Sequence, residues 1–410
     1  MIKIQNRPYN NSSGAVHSKI NLETVETSLS NVLKRTDLGY LQLTSRAPLW
    51  DSAQELGQHI KSHFTNYVLI GFGGSSMGAR ALAEITHTDS ILFFDNVDFL
   101  EIQSQLKKVN DLNKTAWIFA SKSGNTIEVL TIIDFLHQTL SAKKVDLWKN
   151  SFYITEQKTS PLFDLAKKHD RPSLEIPLDV GGRFSVLSPV GILMASLCGL
   201  DISEIKAGAN QALADKKTAQ DLSYQYLSSF DDGKNISLFW FYNSATRWLG
   251  GWLQQLWAES LGKTLNRKNN PAHYFSTPVI AIGSSDQHSI LQQVMDGEKN
   301  KFVTFFRFEQ IEKQGPILSE SLFKETAPLK NKSVGELIKA QAQGTAEALT
   351  ENKVPQMTLT LENLNGKNLG YFFMMFQLVV SVLAEYHDVN AFDQPGVQLG
   401  KLKTIVQLEK

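Results

Sequence analysis

Short unbroken apolar runs recur along the chain, each leading into a polar turn and then into apolar positions at helical spacing. Residues 68–70 read VLI, 91–94 ILFF, 117–120 WIFA and 277–282 TPVIAI, and 235–241 is a further run. These runs are short and do not alternate with polar residues, so they predict strands covered on both faces. After residue 120, Val129, Ile132, Ile133, Leu136 and Leu140 mark one stripe of a helix. After residue 77, Gly78, Ala81, Leu82 and Ile85 do the same. Strand, turn and helix in repeated succession predict an α/β fold with mainly parallel sheets. Residues 1–44 read as an irregular arm followed by an amphipathic helix, and 207–230 as a polar helical connection. The longest apolar run, 371–384, carries Gln377 and is too short to span a bilayer, which predicts a buried helix.

Composition narrows the partners. At 410 residues there is room for two or three full cores. Lys plus Arg and Asp plus Glu both number 41, so no overall field recruits nucleic acid or an anionic membrane, and a metabolite-sized ligand is expected. A single cysteine, Cys198, excludes an intrachain disulfide and lies in an apolar run, as core filler in a reducing cytoplasm. The first residues lack the basic-then-apolar layout of a signal peptide. His59 and His63 stand one turn apart without a third ligand nearby, and read as a solvated face rather than a metal site.

The turns carry the chemistry. Ser121, Lys122, Ser123, Gly124, Asn125 and Thr126 follow the run 117–120 and precede a helical stripe. Unpaired N–H groups at a helix start, with hydroxyls beside them, make an anion site suited to a phosphate monoester; the bland alternative is a capped, soluble loop. Residues 71–78 (GFGGSSMG) form a second such turn. A dinucleotide fingerprint wants glycine where Ser76 stands, although Asp95 imitates its ribose carboxylate. A hydrolase elbow is spoiled by three extra residues between the strand and Gly74. Close backbone approach to a small phosphorylated ligand, with Ser75 donating, fits the repeated pattern best.

Residues 179–191 (DVGGRFSVLSPVG) place paired glycines beside Arg183, a permanent cation. This segment resembles a signature of the glucose-6-phosphate isomerase (phosphoglucose isomerase) family, and the turns at 73–75 and 121–126 resemble that family's sugar-phosphate loops of the sugar isomerase (SIS) type. The helix 247–260 carries Leu249, Trp252, Leu253 and Leu256 on one face, with Gln255 and Glu259 a turn apart. It resembles the helix that holds the family's catalytic glutamate. Gly262-Lys263-Thr264 imitates the end of a nucleotide loop, but Trp257 stands where the first glycine belongs, so an NTPase is discarded. His288, after the run 277–282, matches the family's D/G-x-H motif. Residues 390–401 (NAFDQPGVQLGK) resemble its second signature, with Gln398 in place of the usual glutamate. The tail after Lys401 is nine residues, and the chain is short for the family.

The resemblance covers about 68–401. It implies two SIS-type three-layer α/β/α lobes, at 45–205 and 206–370, with an arm and helix at 1–44 and a C-terminal helix and active-site tail at 371–410. It also implies isomerisation of glucose 6-phosphate and fructose 6-phosphate in glycolysis and gluconeogenesis. Glu259 would shuttle a proton through a cis-enediol, Arg183 would stabilise the enediolate, and His288 and Lys401 would open the ring. Gly74, Ser75, Ser121, Lys122, Ser123, Thr126, Gly182, Gln255 and Gln394 would hold the sugar phosphate. No metal or organic cofactor is implied, and a homodimer is, with His288 entering from the neighbouring subunit. Two alternatives remain: a related isomerase for another sugar, or a silent sugar-phosphate sensor.

Overall fold

The computed structural model describes residues 2–9 and 19–410, and its strands fall into two five-stranded sheets. β1 (Lys3–Gln5) joins the second sheet. The first is made of β2 (Asn66–Gly71), β3 (Ile91–Phe94), β4 (Thr115–Ala120), β5 (Ser151–Thr155) and β6 (Ser173–Glu175). Its order is β3-β2-β4-β5-β6, with every neighbouring pair parallel. The second adds β7 (Ile236–Phe241), β8 (Thr277–Ile282), β9 (Lys301–Phe308) and β10 (Gln356–Leu361), in the order β1-β10-β9-β7-β8. Only β1 runs antiparallel, against β10.

Burial explains why the strand sequences are apolar without alternation. Val68, Ile70, Trp117 and Phe119 face one cluster together with Val129, Ile132 and Leu136 of the Ile127–Ala142 helix. Their neighbours Leu69, Ala116 and Ile118 face a second, larger cluster. The second sheet repeats this division, with Leu238 and Trp240 packed against Ala342, Ala346 and Leu349 of the Val334–Glu351 helix. Phe239 and Phe241 point instead into the larger cluster, which therefore collects one face of each sheet. Residues two apart share a face, so each strand must be apolar at every position.

Through that shared core runs the Gly366–Tyr386 helix, buried from Asn368 to Ala384. The buried helix expected from the sequence is borne out, and only its length is corrected. At 21 residues the helix is long and apolar enough to cross a membrane, and it is burial of 89% of its apolar window inside the chain that makes it a core element. Gln377 is accommodated because its Nε2 donates to Phe184 O at 2.8 Å. The arm is likewise not irregular throughout, since Lys3–Gln5 supplies an edge strand; residues 10–18 lie outside the described residues.

Candidate active site

In the first sheet β2 and β4 are neighbours, while β3, which follows β2 in the chain, lies on the opposite side of β2. Open α/β sheets bind ligands outside the carboxyl ends of strands at such a reversal. Both serine-bearing turns emerge there, since Gly71 pairs with Ala120 at the strand ends. Thr126 is the N-cap of the Ile127–Ala142 helix without capping it, because its hydroxyl meets Ser121 Oγ at 2.7 Å. The first-turn amides therefore keep no side-chain cap, which is the donor surface an anion needs. Ser123 Oγ accepts from Asn125 N at 3.3 Å, and Gly124 turns the chain with φ +67°. Lys122 is partly engaged, donating to Leu178 O at 3.1 Å and lying 3.5 Å from Glu156. Ser75 is buried in the other turn, and its hydroxyl has no hydrogen-bond partner among the described residues. Asp95, the mimic of a ribose carboxylate, is taken up by Arg80 at 2.8 and 3.0 Å.

The paired glycines bring a third loop against the 73–75 turn. A Cβ on Gly74 would lie 2.0 Å from Gly182 O, so the loops touch backbone to backbone. Ser185 Oγ ties them, donating to Gly182 O at 2.6 Å and to Gly74 O at 3.2 Å. A Cβ on Gly182 would meet nothing within 4 Å, so that residue borders open space.

Arg183 then reaches across to the Arg247–Leu261 helix. Its Nε donates to Ser260 Oγ at 2.7 Å, and Nη1 donates to Glu259 Oε1 at 2.9 Å and Gln394 Oε1 at 3.3 Å. Nη2 donates to Ala391 O and, at 2.9 Å, to Asp393 O. The Arg183 side chain is 2% exposed and that of Glu259 27%. Burial pulls the Arg183 pKa down, and the charges of Glu259 and Asp393 push it back up. Gln255 Nε2 holds the other carboxylate oxygen, Glu259 Oε2, at 3.1 Å. One carboxylate is thus fixed at both oxygens beside an open cleft of about 990 Å³, lined by Glu259, Lys263, Asn266, Asp393 and Gln394 among others.

Two expected residues stand apart from this cluster. His288 ends the turn after β8, is exposed, and lies outside the cleft. Lys401 rides on the exposed Gln398–Leu408 helix, beyond the 395–397 turn that borders the cleft. One residue escaped the sequence reading. Lys263, set aside as part of a false nucleotide motif, donates to Glu259 O at 2.8 Å and to Asp393 O at 2.6 Å, and its side chain is 7% exposed. Burial, then Arg183, pulls its pKa down. A lysine just past the end of a helix is a signal for such a contact with the last carbonyls.

The phosphoglucose isomerase family model matches residues 47–408. A glucose-6-phosphate isomerase of Campylobacter jejuni is 33% identical over 91% of this chain and 93% of its own length. One from Methanocaldococcus jannaschii is 31% identical over 92% of each chain. Among solved structures, a Thermus thermophilus protein described as hypothetical superposes with a TM-score of 0.84 at 28% identity, over 95% of both chains. A glucose-6-phosphate isomerase of Chlamydia trachomatis shares the fold, with a TM-score of 0.76 at 20% identity over 94% of this chain and 78% of that one. With a carboxylate held by one arginine and one glutamine, and a family match over nearly its full length, this chain belongs to the phosphoglucose isomerase family.

Proposed function

We propose that the chain interconverts glucose 6-phosphate and fructose 6-phosphate. The observation that carries this reading is Glu259, a partly exposed carboxylate held at both oxygens beside an open cleft. The substrate phosphate would dock on the first-turn amides of the Ile127–Ala142 helix, with Ser121, Ser123, Thr126 and Ser75 as hydroxyl donors and Lys122 adding charge. Gly74 and Gly182 would let backbone approach the sugar, and Gln255 and Gln394 would meet its hydroxyls.

Glu259 takes the C2 proton of the open aldose and returns it to C1, one carboxylate serving both steps of a cis-enediol path. A carboxylate is a weak base for a carbon acid, so the enediolate oxygen must be stabilised. Arg183 supplies a fixed cation for that. All its donors are engaged, and the 3.3 Å bond to Gln394 is the longest, so that N–H is the one most readily given up to the developing charge. Such a preorganised donor is worth about 3 kcal/mol of barrier. Ring opening falls to His288 and Lys401. Because His288 lies outside its own chain's cleft, we assign it to the site of a second copy in a homodimer. Units at 45–205 and 206–370, and a reducing cytoplasm suited to a lone cysteine, complete the proposal.

Fructose 6-phosphate followed by a coupled glucose-6-phosphate dehydrogenase tests the reading. The wild type should form glucose 6-phosphate. Glu259→Gln should bind substrate by calorimetry and still open the ring, yet isomerise several orders of magnitude more slowly. An inactive wild type, or a variant keeping about a tenth of the turnover, refutes it.

A further inference from the structure

A second cleft, of about 650 Å³, opens at the carboxyl ends of β9 and β10 and shares no lining residue with the first. Its floor is a row across three strands, with Lys3 of β1 opposite Thr360 of β10, and Thr360 opposite Arg307 of β9. Residues directly opposite on neighbouring strands point to one face. One wall is the Val334–Glu351 helix, where Glu336, Lys339 and Gln343 recur at three- and four-residue spacing. The chain leaving β9, with Glu309 and Lys313, forms the other.

The charges here are unevenly satisfied. Arg307 and Glu312 are buried and joined by two bonds of 2.6 and 2.7 Å. Lys3 meets Glu309 at 2.7 Å, and the Glu336 carboxylate accepts from Ser333 N at 2.7 Å. Lys313 and Lys339 make no hydrogen bond or ion pair among the described residues, although Lys313 is near enough to Glu309 to favour its charged form, and the lining holds four cations against three carboxylates. On the floor, Thr360 is 5% exposed and its Oγ1 has no hydrogen-bond partner. A buried hydroxyl without a partner is unfavourable, and a ligand oxygen removes the deficit.

We propose that this cleft is a binding site for a small hydroxylated dianion, its charge met by Lys313 and Lys339 and one oxygen met by Thr360. Two exposed ammonium groups that make no ion pair can each face one charge of a dianion, and the orphan hydroxyl calls for a ligand that also carries neutral oxygens. A phosphate monoester and a hydroxylated dicarboxylate share this chemistry.

Hydrogen–deuterium exchange on the full chain separates these sources, with glycerol 3-phosphate in one arm and malate in the other. At least one should slow exchange in 309–317 and 333–343, and the arm that does so identifies the anion. In the Lys313→Gln/Lys339→Gln double variant, and in Thr360→Val, the affinity read from that protection should fall about tenfold. The KM for fructose 6-phosphate should stay unchanged in both. Absence of protection in both arms, protection confined to the 121–126 loop, or equal affinity in the double variant would overturn the proposal. None of these outcomes depends on the isomerase assignment.

Discussion

Arg183 keeps its charge nearly out of water because five acceptors surround its planar fork. A lysine there would retain the charge but offer three donors and no plane. Arg183→Lys should therefore leave at least two buried acceptors unpaired, costing about 1–3 kcal/mol each. Glu259 would lose its fixed orientation, and turnover should fall about 100-fold or more. Turnover by the coupled assay and urea unfolding read the two effects. Near-wild-type turnover would mean that the guanidinium geometry is not what places the carboxylate.

At the scale of elements, the active site is assembled by loops pressed together rather than by any one helix or strand. Gly74 shows the tolerance, because its Cβ would stand 2.0 Å from Gly182 O. Gly74→Ala must force the 73–75 and 181–185 segments apart, which should cost about 1–3 kcal/mol and raise KM severalfold. Gly181→Ala is the matched control, since its Cβ would meet only Phe184 Cδ2, at an ordinary 3.6 Å, with φ at −64°. Thermal unfolding and steady-state kinetics compare the pair, and equal behaviour would remove the close approach as a determinant of the site. The Gln377 bond to Phe184 O belongs to the same assembly, linking the core helix to the loop that aims Arg183.

For the whole molecule, two outcomes follow from how distant parts meet. If His288 serves the neighbouring site, mixing inactive Glu259→Gln and His288→Ala homodimers should restore about a quarter of wild-type activity. Half the random dimers are hybrids, and each hybrid has one intact site. Confirmed subunit exchange without recovery would place His288 in its own chain's site. The second outcome concerns pH. His387 is stacked on Tyr274 at 4.4 Å, and burial pushes its pKa down to about 4, against a slight upward pull from Asp231. Below about pH 6.5 the unfolded chain takes up a proton that the folded one refuses, so stability is lost as pH falls from about 6.5 towards 4. Between pH 7 and 5 this contribution should reach about 1–2 kcal/mol and vanish in His387→Phe, which keeps a ring against Tyr274. Parallel unfolding curves of the two proteins across that range would refute it.

The parallel sheets were legible because burial on both faces leaves a local mark, an unbroken apolar run followed by a helical stripe, as at 117–120 and Ile127–Ala142. Arg183, Glu259 and Gln394 were legible one by one, through signatures that resemble a known family. Their meeting was not, since residues 76 and 211 positions apart along the chain share one guanidinium only after the loops close. Lys263 escaped for the same reason: its place after a helix signals the contact with Glu259 O, but the Asp393 carbonyl comes beside it only in the fold. The Gly366–Tyr386 helix marks the limit most clearly. Its composition suits a membrane or a core equally, and only the helices and sheets packed around it decide, because hydrophobicity is a property of the residue and burial a property of its neighbours.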